Sequence, residues 1–409
     1  MPLMRRAIAV LMAGGQGERL WPLTRDRAKP AVPFGGVYRI IDVTLSNCLN
    51  SDLRRVFVLT QYKALSLNRH IRRGWSVRMG HGDFIEVLPP QMRVSQHWYQ
   101  GTADAVYQNI YSIGSEQSDY VFILSGDHIY KMNYQSMLEQ HASAGADVTV
   151  ATLEVDLADA AGKLGVIETN EIGRIVGFEE KPASPKASRS RPDKANASMG
   201  VYLFNTHLLV PILIADAENP ASSHDFGKDI LPRIIEKHRV FAYNFRDEND
   251  KETYWRDVGT VDAYHEANMD LVSVTPVFNL YDKRWPLHTW QHEYPPAKFV
   301  FADPERMGVA LDSIVSGGSI VSGGRVERTI LGYDVRVNSY SEVEDSIIYN
   351  HVNIGRHCRI RRAIVDRHVN LPEGTVIGHD LEADRARYSV SEGGVVVVVR
   401  PESMIEEPE

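Results

Sequence analysis

Between residues 314 and 377 aliphatic side chains recur at every sixth position: Ile314, Ile320 and Val326, then Ile348, Ile354 and Ile360, then Val365, Leu371 and Ile377. The alternating strands of a β-sandwich would repeat every two residues instead. A period of six, with Gly and Asn between the aliphatics, fits a parallel β-helix, in which each run of six makes one flat side of a coil and its aliphatic side chain points inward. The register breaks between the three runs, which predicts loops or irregular turns there. Val395–Val399 reads as a terminal strand, followed by an acidic tail, MIEEPE.

The amino-terminal part follows another rule. Ala7–Met12, Val56–Thr60 and Tyr120–Leu124 read as strands, and Val43–Asn50, Ala64–Arg73, Ala103–Ile113 and Tyr134–Ala144 as helices. Short, continuously apolar strands between helices predict an α/β fold with a mainly parallel sheet covered on both faces. From 147 to 270 the pattern is mixed, with β segments at Gly165–Glu168, Ile175–Phe178 and Val201–Phe204. Ala183–Ala195, rich in Ser, Pro and basic residues, reads as a mobile surface loop. Tyr281–Pro296, dense in Trp, Tyr and Pro, reads as a packed connector. The predicted organisation is a first domain over 1–275, a connector over 276–300 and the repeat domain over 301–409.

The formal net charge of -8 argues against a general nucleic-acid binder. The two cysteines, Cys48 and Cys358, are isolated, so neither a disulfide framework nor a thiolate metal site is indicated. Arg5 and Arg6 precede the apolar run Ala7–Ala13, but that run passes directly into glycines and reads as a buried first strand rather than a signal peptide. No stretch approaches the ~20 apolar residues of a membrane span. The expectation is a cytoplasmic protein with no membrane or nucleic-acid partner.

The segment LMAGGQGERLWPLTRDRAKPA (Leu11–Ala31) follows the first strand with three glycines and two spaced cations. It lacks the G-x-x-x-x-G-K-[ST] of a Walker loop, and it fails the dinucleotide fingerprint because Leu20 stands at the third glycine position. What remains is bare backbone that offers N–H groups to phosphate oxygens, with Arg19 and Lys29 in range to hold charge. This points to a triphosphate site. In FILSGDHIYK (Phe122–Lys131) an apolar strand delivers Asp127 at its carboxyl end, where open α/β sheets bind ligands; the residue is either a Mg²⁺ ligand or the cap of the next turn. YWRDVGT (Tyr254–Thr260) offers Asp257 as a second metal ligand.

With LMAGGQGERL, RAKPAVPFGG, WYQGTADAVYQN, LSGDHIYK, FEEKP, ASMGVYLF, HDFGKDILP and YWRDVGT in this order, nearly the whole chain resembles the bacterial glucose-1-phosphate adenylyltransferases, or ADP-glucose pyrophosphorylases. The resemblance implies a Rossmann-like nucleotidyltransferase domain followed by a left-handed parallel β-helix. It implies transfer of the adenylyl group of ATP to glucose 1-phosphate, with Mg²⁺ as cofactor. Ala13, Gly14, Gly15, Gly17, Gln61, Gly101 and Thr102 would lie along the nucleotide, and Arg19 and Lys29 would hold its outer phosphates. Asp127 and Asp257 would coordinate Mg²⁺, while Tyr99, Gly165, Glu180, Lys181 and Ser198 would contact the sugar phosphate. Gln61 and Trp98 match loop residues linked to ATP binding and regulation. Arg27 and Arg39 match basic residues that bind anionic allosteric effectors; Asp26, Pro33 and Ser115 depart from the activated pattern and predict weak or altered activation by fructose 1,6-bisphosphate. The resemblance also implies a homotetramer. Three rival readings are a pyrophosphorylase for another base, a non-catalytic regulatory subunit, and acyl transfer by His351, His357 or His368 in the repeat domain.

Overall fold

The computed structural model describes residues 3–15, 17–75, 80, 82–90, 98–189, 191–245 and 254–400; Gln16 and the acidic tail lie outside this set. The first strand, Ala7–Met12, feeds two different cores. Ala7, Ala9 and Leu11 enter one with Phe122 and Leu124, and Ile8 and Val10 enter the other with Val121 and Ile123. A strand buried on both faces has no polar side to show, hence the unbroken apolar run.

That strand lies between Arg55–Leu59 and Tyr120–Ser125, parallel to both, and Phe84–Leu88 extends the parallel half beyond Arg55–Leu59. On the other side the long strand Lys194–Asn205 pairs antiparallel with Tyr120–Ser125 and with Val148–Asp156, making the nine-stranded sheet mixed. Lys194 and Ala195, the end of the expected loop, already belong to this strand. The first helix runs Ile40–Asn50, three residues longer than its apolar pattern suggests, because the Asp42 carboxylate accepts from the Arg39 N–H at 2.8 Å and caps an earlier start. The helix expected over 103–113 is two, Thr102–Gln108 and Ile110–Ser115. Asn109 divides them, turning its side chain back to donate to the Ala105 carbonyl at 2.8 Å.

Residues 273–297 carry no regular element and lie against the first helix. Trp285 Nε1 donates to Asn47 Oδ1 at 2.8 Å and Thr289 Oγ1 to Asp42 Oδ2 at 2.7 Å, so the aromatic connector is packed, as its composition predicts.

From Lys298 the chain winds into three sheets of parallel strands, one of which ends in an antiparallel strand, Ser389–Val390. Leu331, Ile348 and Val365 stand in one column, Val337, Ile354 and Leu371 in the second, and Val343, Ile360 and Ile377 in the third. Each coil is therefore 17 residues long. Three sides of six would need one more, so one corner is a residue short. This is why the spacing breaks after every third aliphatic: the break is a constant of the coil and not a loop. The first coil is shorter again, at 16 residues, and there the inward positions are Val315 and Val321, not Ile314 and Ile320. Ile314 faces outward with Ile330, Ile347, Ile364 and Val397 into a core shared with Leu23, Phe34 and Tyr264 of the first domain and Phe278 of the connector. Both faces of the sheet that carries Leu331, Ile348 and Val365 are buried, which explains the doubled aliphatics Ile330-Leu331, Ile347-Ile348 and Ile364-Val365.

Candidate active site

The ends of the parallel strands make the floor of a cleft. Ala13, Gly14 and Gly15 leave the first strand, Gln61 and Tyr62 follow Arg55–Leu59, and Ser125 and Asp127 close Tyr120–Ser125. With Lys29, Tyr99, Gly101 and Thr102 they enclose about 400 Å³. Nine of the residues expected at the site meet here. Gly101 has a steric reason: a Cβ at this position would lie 2.2 Å from the His224 carbonyl oxygen. Gly17 lies just outside, with φ +66°, and a Cβ on it would stand 3.0 Å from Lys29 Cβ. Its carbonyl accepts from Thr24 Oγ1 at 2.9 Å, so this glycine lets the loop fold down over the Lys29 stem.

Lys29 is 7% exposed and sits between two carboxylates, 2.8 Å from Asp127 Oδ2 and 3.3 Å from Asp257 Oδ1. Burial by itself would push the Asp127 carboxyl up, but the adjacent Lys29, then His128 and a hydrogen bond from Ser125 hold it far below the ordinary carboxylate range. Burial would likewise lower Lys29, and the two carboxylates raise it instead. The aspartates, 130 positions apart, meet through a short antiparallel ladder in which Trp255, Arg256 and Asp257 pair with Tyr130, Ile129 and His128. Gly259 lies against both the Asp257 carboxylate and the Arg19 guanidinium: a Cβ there would stand 3.0 Å from Asp257 Oδ2 and 3.2 Å from Arg19 Nη2. Arg19 thus reaches the site from the Asp257 side. Among the described residues Asp127, His128 and Asp257 bring three possible ligand atoms within 4.8 Å of one another, and an ammonium already bridges the carboxylates. Two oxygen donors that share one cation suit a hard divalent ion.

A second cluster adjoins the cleft. Ser198 donates its backbone N–H to the Gly165 carbonyl at 2.8 Å, and Glu180 lies 3.7 Å from Lys181 Nζ. Burial raises the Glu180 carboxyl; Lys181 opposes this and Asp225 adds to it. Lys181 holds φ +49°, a left-handed conformation that costs a non-glycine residue about 1 kcal/mol, with its side chain toward solvent. Asp225 links the two clusters. It accepts from Thr102 Oγ1 at 2.9 Å and caps the following turn through the Gly227 and Lys228 N–H groups.

Asp225, Tyr62 and His128 were not singled out from the sequence. Asp225 had a signal, an aspartate two residues before a glycine in HDFGKD. Tyr62 stacks on Trp98 with centroids 5.4 Å apart; nothing local announces it.

Arg27 and Arg39 lie elsewhere, lining a cavity of about 40 Å³ between the domains with Tyr38, His70, Asn350 and Arg367. Arg27 Nη2 is bound to both Asp366 oxygens, at 2.9 and 3.0 Å, while its Nη1 is enclosed with no hydrogen-bond partner among the described residues. Asp26 is not a bare negative charge: burial would raise it, but hydrogen bonding and charge from Arg25 hold it low. Ser115 does not line this cavity. His351, His357 and His368 occupy coil corners at φ +61°, +56° and +59°, with His351 stacked on His368 and His357 on Tyr340. They are turn residues of the winding.

A nucleotidyl transferase family model matches residues 8–274, and a GlmU-like C-terminal hexapeptide model matches residues 295–398. The fold and the cleft are therefore those of a nucleotidyl transferase carrying a hexapeptide-repeat domain. Relatives extend the match to almost the full chain. A glucose-1-phosphate adenylyltransferase of Koribacter versatilis is 62% identical over 99% of this chain and 98% of its own length. One from Rhodopirellula baltica is 55% identical over 100% and 92%, and one from a Shewanella species 54% identical over 97% and 96%. The chain belongs to the glucose-1-phosphate adenylyltransferase family.

Proposed function

We propose that the chain transfers the adenylyl group of ATP to α-D-glucose 1-phosphate, giving ADP-glucose and pyrophosphate for glycogen or α-glucan synthesis. The observation that carries this reading is the meeting of the glycine loop, Lys29, Asp127 and Asp257 at the strand ends, next to the Glu180–Ser198–Asp225 cluster. A phosphate oxygen of glucose 1-phosphate attacks the α-phosphorus of ATP in line, and pyrophosphate leaves. No covalent enzyme nucleophile is required, because the attacking oxygen is already anionic; alignment and charge neutralisation are the protein's task.

The backbone of Ala13, Gly14 and Gly15, with Gln61, Gly101 and Thr102, holds the nucleotide. Lys29 turns from the carboxylates to the phosphates, and Arg19 and Lys29 neutralise the departing pyrophosphate. Lys181 binds the sugar phosphate, Glu180 accepts from sugar hydroxyls, and Tyr99, Gly165 and Ser198 shape the pocket around them. Asp127 and Asp257 hold Mg²⁺, which when bound neutralises charge on the phosphates. The interdomain cavity suits an anionic effector, for which Arg27 Nη1 and Arg39 supply the charge. A cytoplasmic homotetramer completes the reading; among the described residues no helix is long and apolar enough to cross a membrane.

The test is pyrophosphate release with each nucleoside triphosphate and glucose 1-phosphate, with and without fructose 1,6-bisphosphate. ATP should be preferred by orders of magnitude. Equal rates with the thymidine or uridine nucleotide would replace this reading by the other-base one, and no release with any nucleotide would point to a non-catalytic subunit.

A further inference from the structure

The two carboxylates do not stand alone. His128 follows Asp127 in the chain and faces Asp257 across the short ladder, so its ring is fixed to the same piece of backbone as both acids. Its Nε2 lies 3.5 Å from Asp127 Oδ1, and its side chain is 14% exposed. The Trp255 ring packs on one side with centroids 5.0 Å apart. Gly200 lies close by; a Cβ there would come within 3.7 Å of His128 Cε1. The other ring nitrogen, Nδ1, is enclosed and has no hydrogen-bond partner among the described residues. A buried polar atom left unpaired costs about 1–3 kcal/mol. The imidazole is thus held by its walls and, among the described residues, its polar partner is the Asp127 carboxylate at Nε2.

We propose that His128 is a direct nitrogen ligand of the divalent cation held by Asp127 and Asp257, so that the protein offers two oxygens and one nitrogen. The proposal rests on the metal reading given above and adds a donor to it. Three ligand atoms within 4.8 Å of one another need only a small inward movement to share one ion, given metal–ligand distances of about 2.0–2.2 Å. The consequence is selectivity. Carboxylate oxygens suit Mg²⁺ and Mn²⁺ alike, whereas an imidazole adds affinity for Mn²⁺ and Co²⁺ that Mg²⁺ does not match. The competing role for His128 is to orient the Asp127 carboxylate without touching the ion.

The full-length protein loaded with Mn²⁺ and pyrophosphate separates the two roles, because pyrophosphate contains no nitrogen. Electron spin-echo envelope modulation should show an imidazole ¹⁴N coupling that converts to the ¹⁵N pattern when histidine alone is ¹⁵N-labelled. In His128→Gln that coupling should vanish, and the Mn²⁺ Kd should rise about tenfold while the Mg²⁺ Kd changes less. Mn²⁺ bound to the unmutated protein without a histidine nitrogen coupling overturns the proposal, whatever the variant does. Asp127→Asn and Asp257→Asn binding Mn²⁺ as tightly as the unmutated protein would instead overturn the metal reading beneath it.

Discussion

Lys29→Met removes a cation that occupies the centre of the acidic site, and the structure predicts a gain and a loss together. At an effective dielectric of about 20, an ammonium 2.8 Å from one carboxylate and 3.3 Å from another is attracted by about 6 and about 5 kcal/mol before desolvation. A divalent ion placed between the same oxygens would meet that ammonium at close range. At about 4 Å their repulsion, about 8 kcal/mol on the same scale, exceeds what one carboxylate offers Lys29. If the two carboxylates hold the metal as proposed, Lys29 opposes its entry into the free protein, and phosphate oxygens that receive the ammonium would relieve that opposition. Without the lysine charge, Mn²⁺ should bind the nucleotide-free protein at least tenfold more tightly, which needs only about 1.4 kcal/mol of the relieved repulsion. Pyrophosphate release should fall at least a hundredfold if the same group neutralises the leaving phosphates as proposed. Mn²⁺ titration followed by electron paramagnetic resonance gives the first number and a coupled pyrophosphate assay the second. A folded Lys29→Met protein that binds Mn²⁺ no better than its parent would refute the reasoning, since the bridging geometry would then have no bearing on metal entry.

Asp127→Asn should abolish turnover and leave the melting transition of the fold intact; near-normal rates at saturating Mg²⁺ would reject the metal role. For Glu180→Gln, kcat/KM toward glucose 1-phosphate should drop about 10- to 100-fold, the worth of a charged hydrogen bond, with no loss of thermal stability at neutral pH. The sign follows from the raised folded pKa: the ionised carboxylate is disfavoured in the fold, so it lowers stability once pH exceeds its unfolded value, and a neutral amide removes that penalty. Arg27→Met leaves Asp366 as a buried unpaired charge and should destabilise by about 3–5 kcal/mol in chemical denaturation, whereas the double variant Arg27→Met with Asp366→Leu should recover most of it. Gly101→Ala should raise the KM for ATP sharply, because the added carbon meets the His224 carbonyl, which is backbone and cannot rotate aside.

What the sequence disclosed and what it hid divide along a physical line. Groups placed by one strand end were legible: the glycines after Met12 and the aspartate after Ser125 follow directly from where an apolar run stops. Groups assembled by pairing were not. Nothing near Asp257 says that Trp255–Asp257 will lie beside His128–Tyr130, and nothing near Arg27 names Asp366 as its partner. Those contacts exist because the two domains and the late strand Trp255–Asp257 fold onto one another, which is tertiary information. The same line explains His128. Read alone, it is one more half-buried histidine after a strand, and only the ladder register turns it toward both acids.

The repeat domain shows the opposite case, in which an apparent irregularity was itself the signal. Runs of six separated by steps of five describe a 17-residue coil completely, and the doubled aliphatics mark the one sheet that is buried on both faces. That sheet presents Ile330, Ile347 and Ile364 to the first domain on the same side where Arg27 meets Asp366. The repeat domain is therefore fastened to the segment between the glycine loop and Lys29 by an apolar face and one buried ion pair. An anion that engaged Arg27 in the adjoining cavity would act two residues from Lys29, the cation proposed to control metal entry. Coupling between the domain interface and the chemistry, if the proposed effector site operates, would need no long pathway, because a single short turn carries both residues.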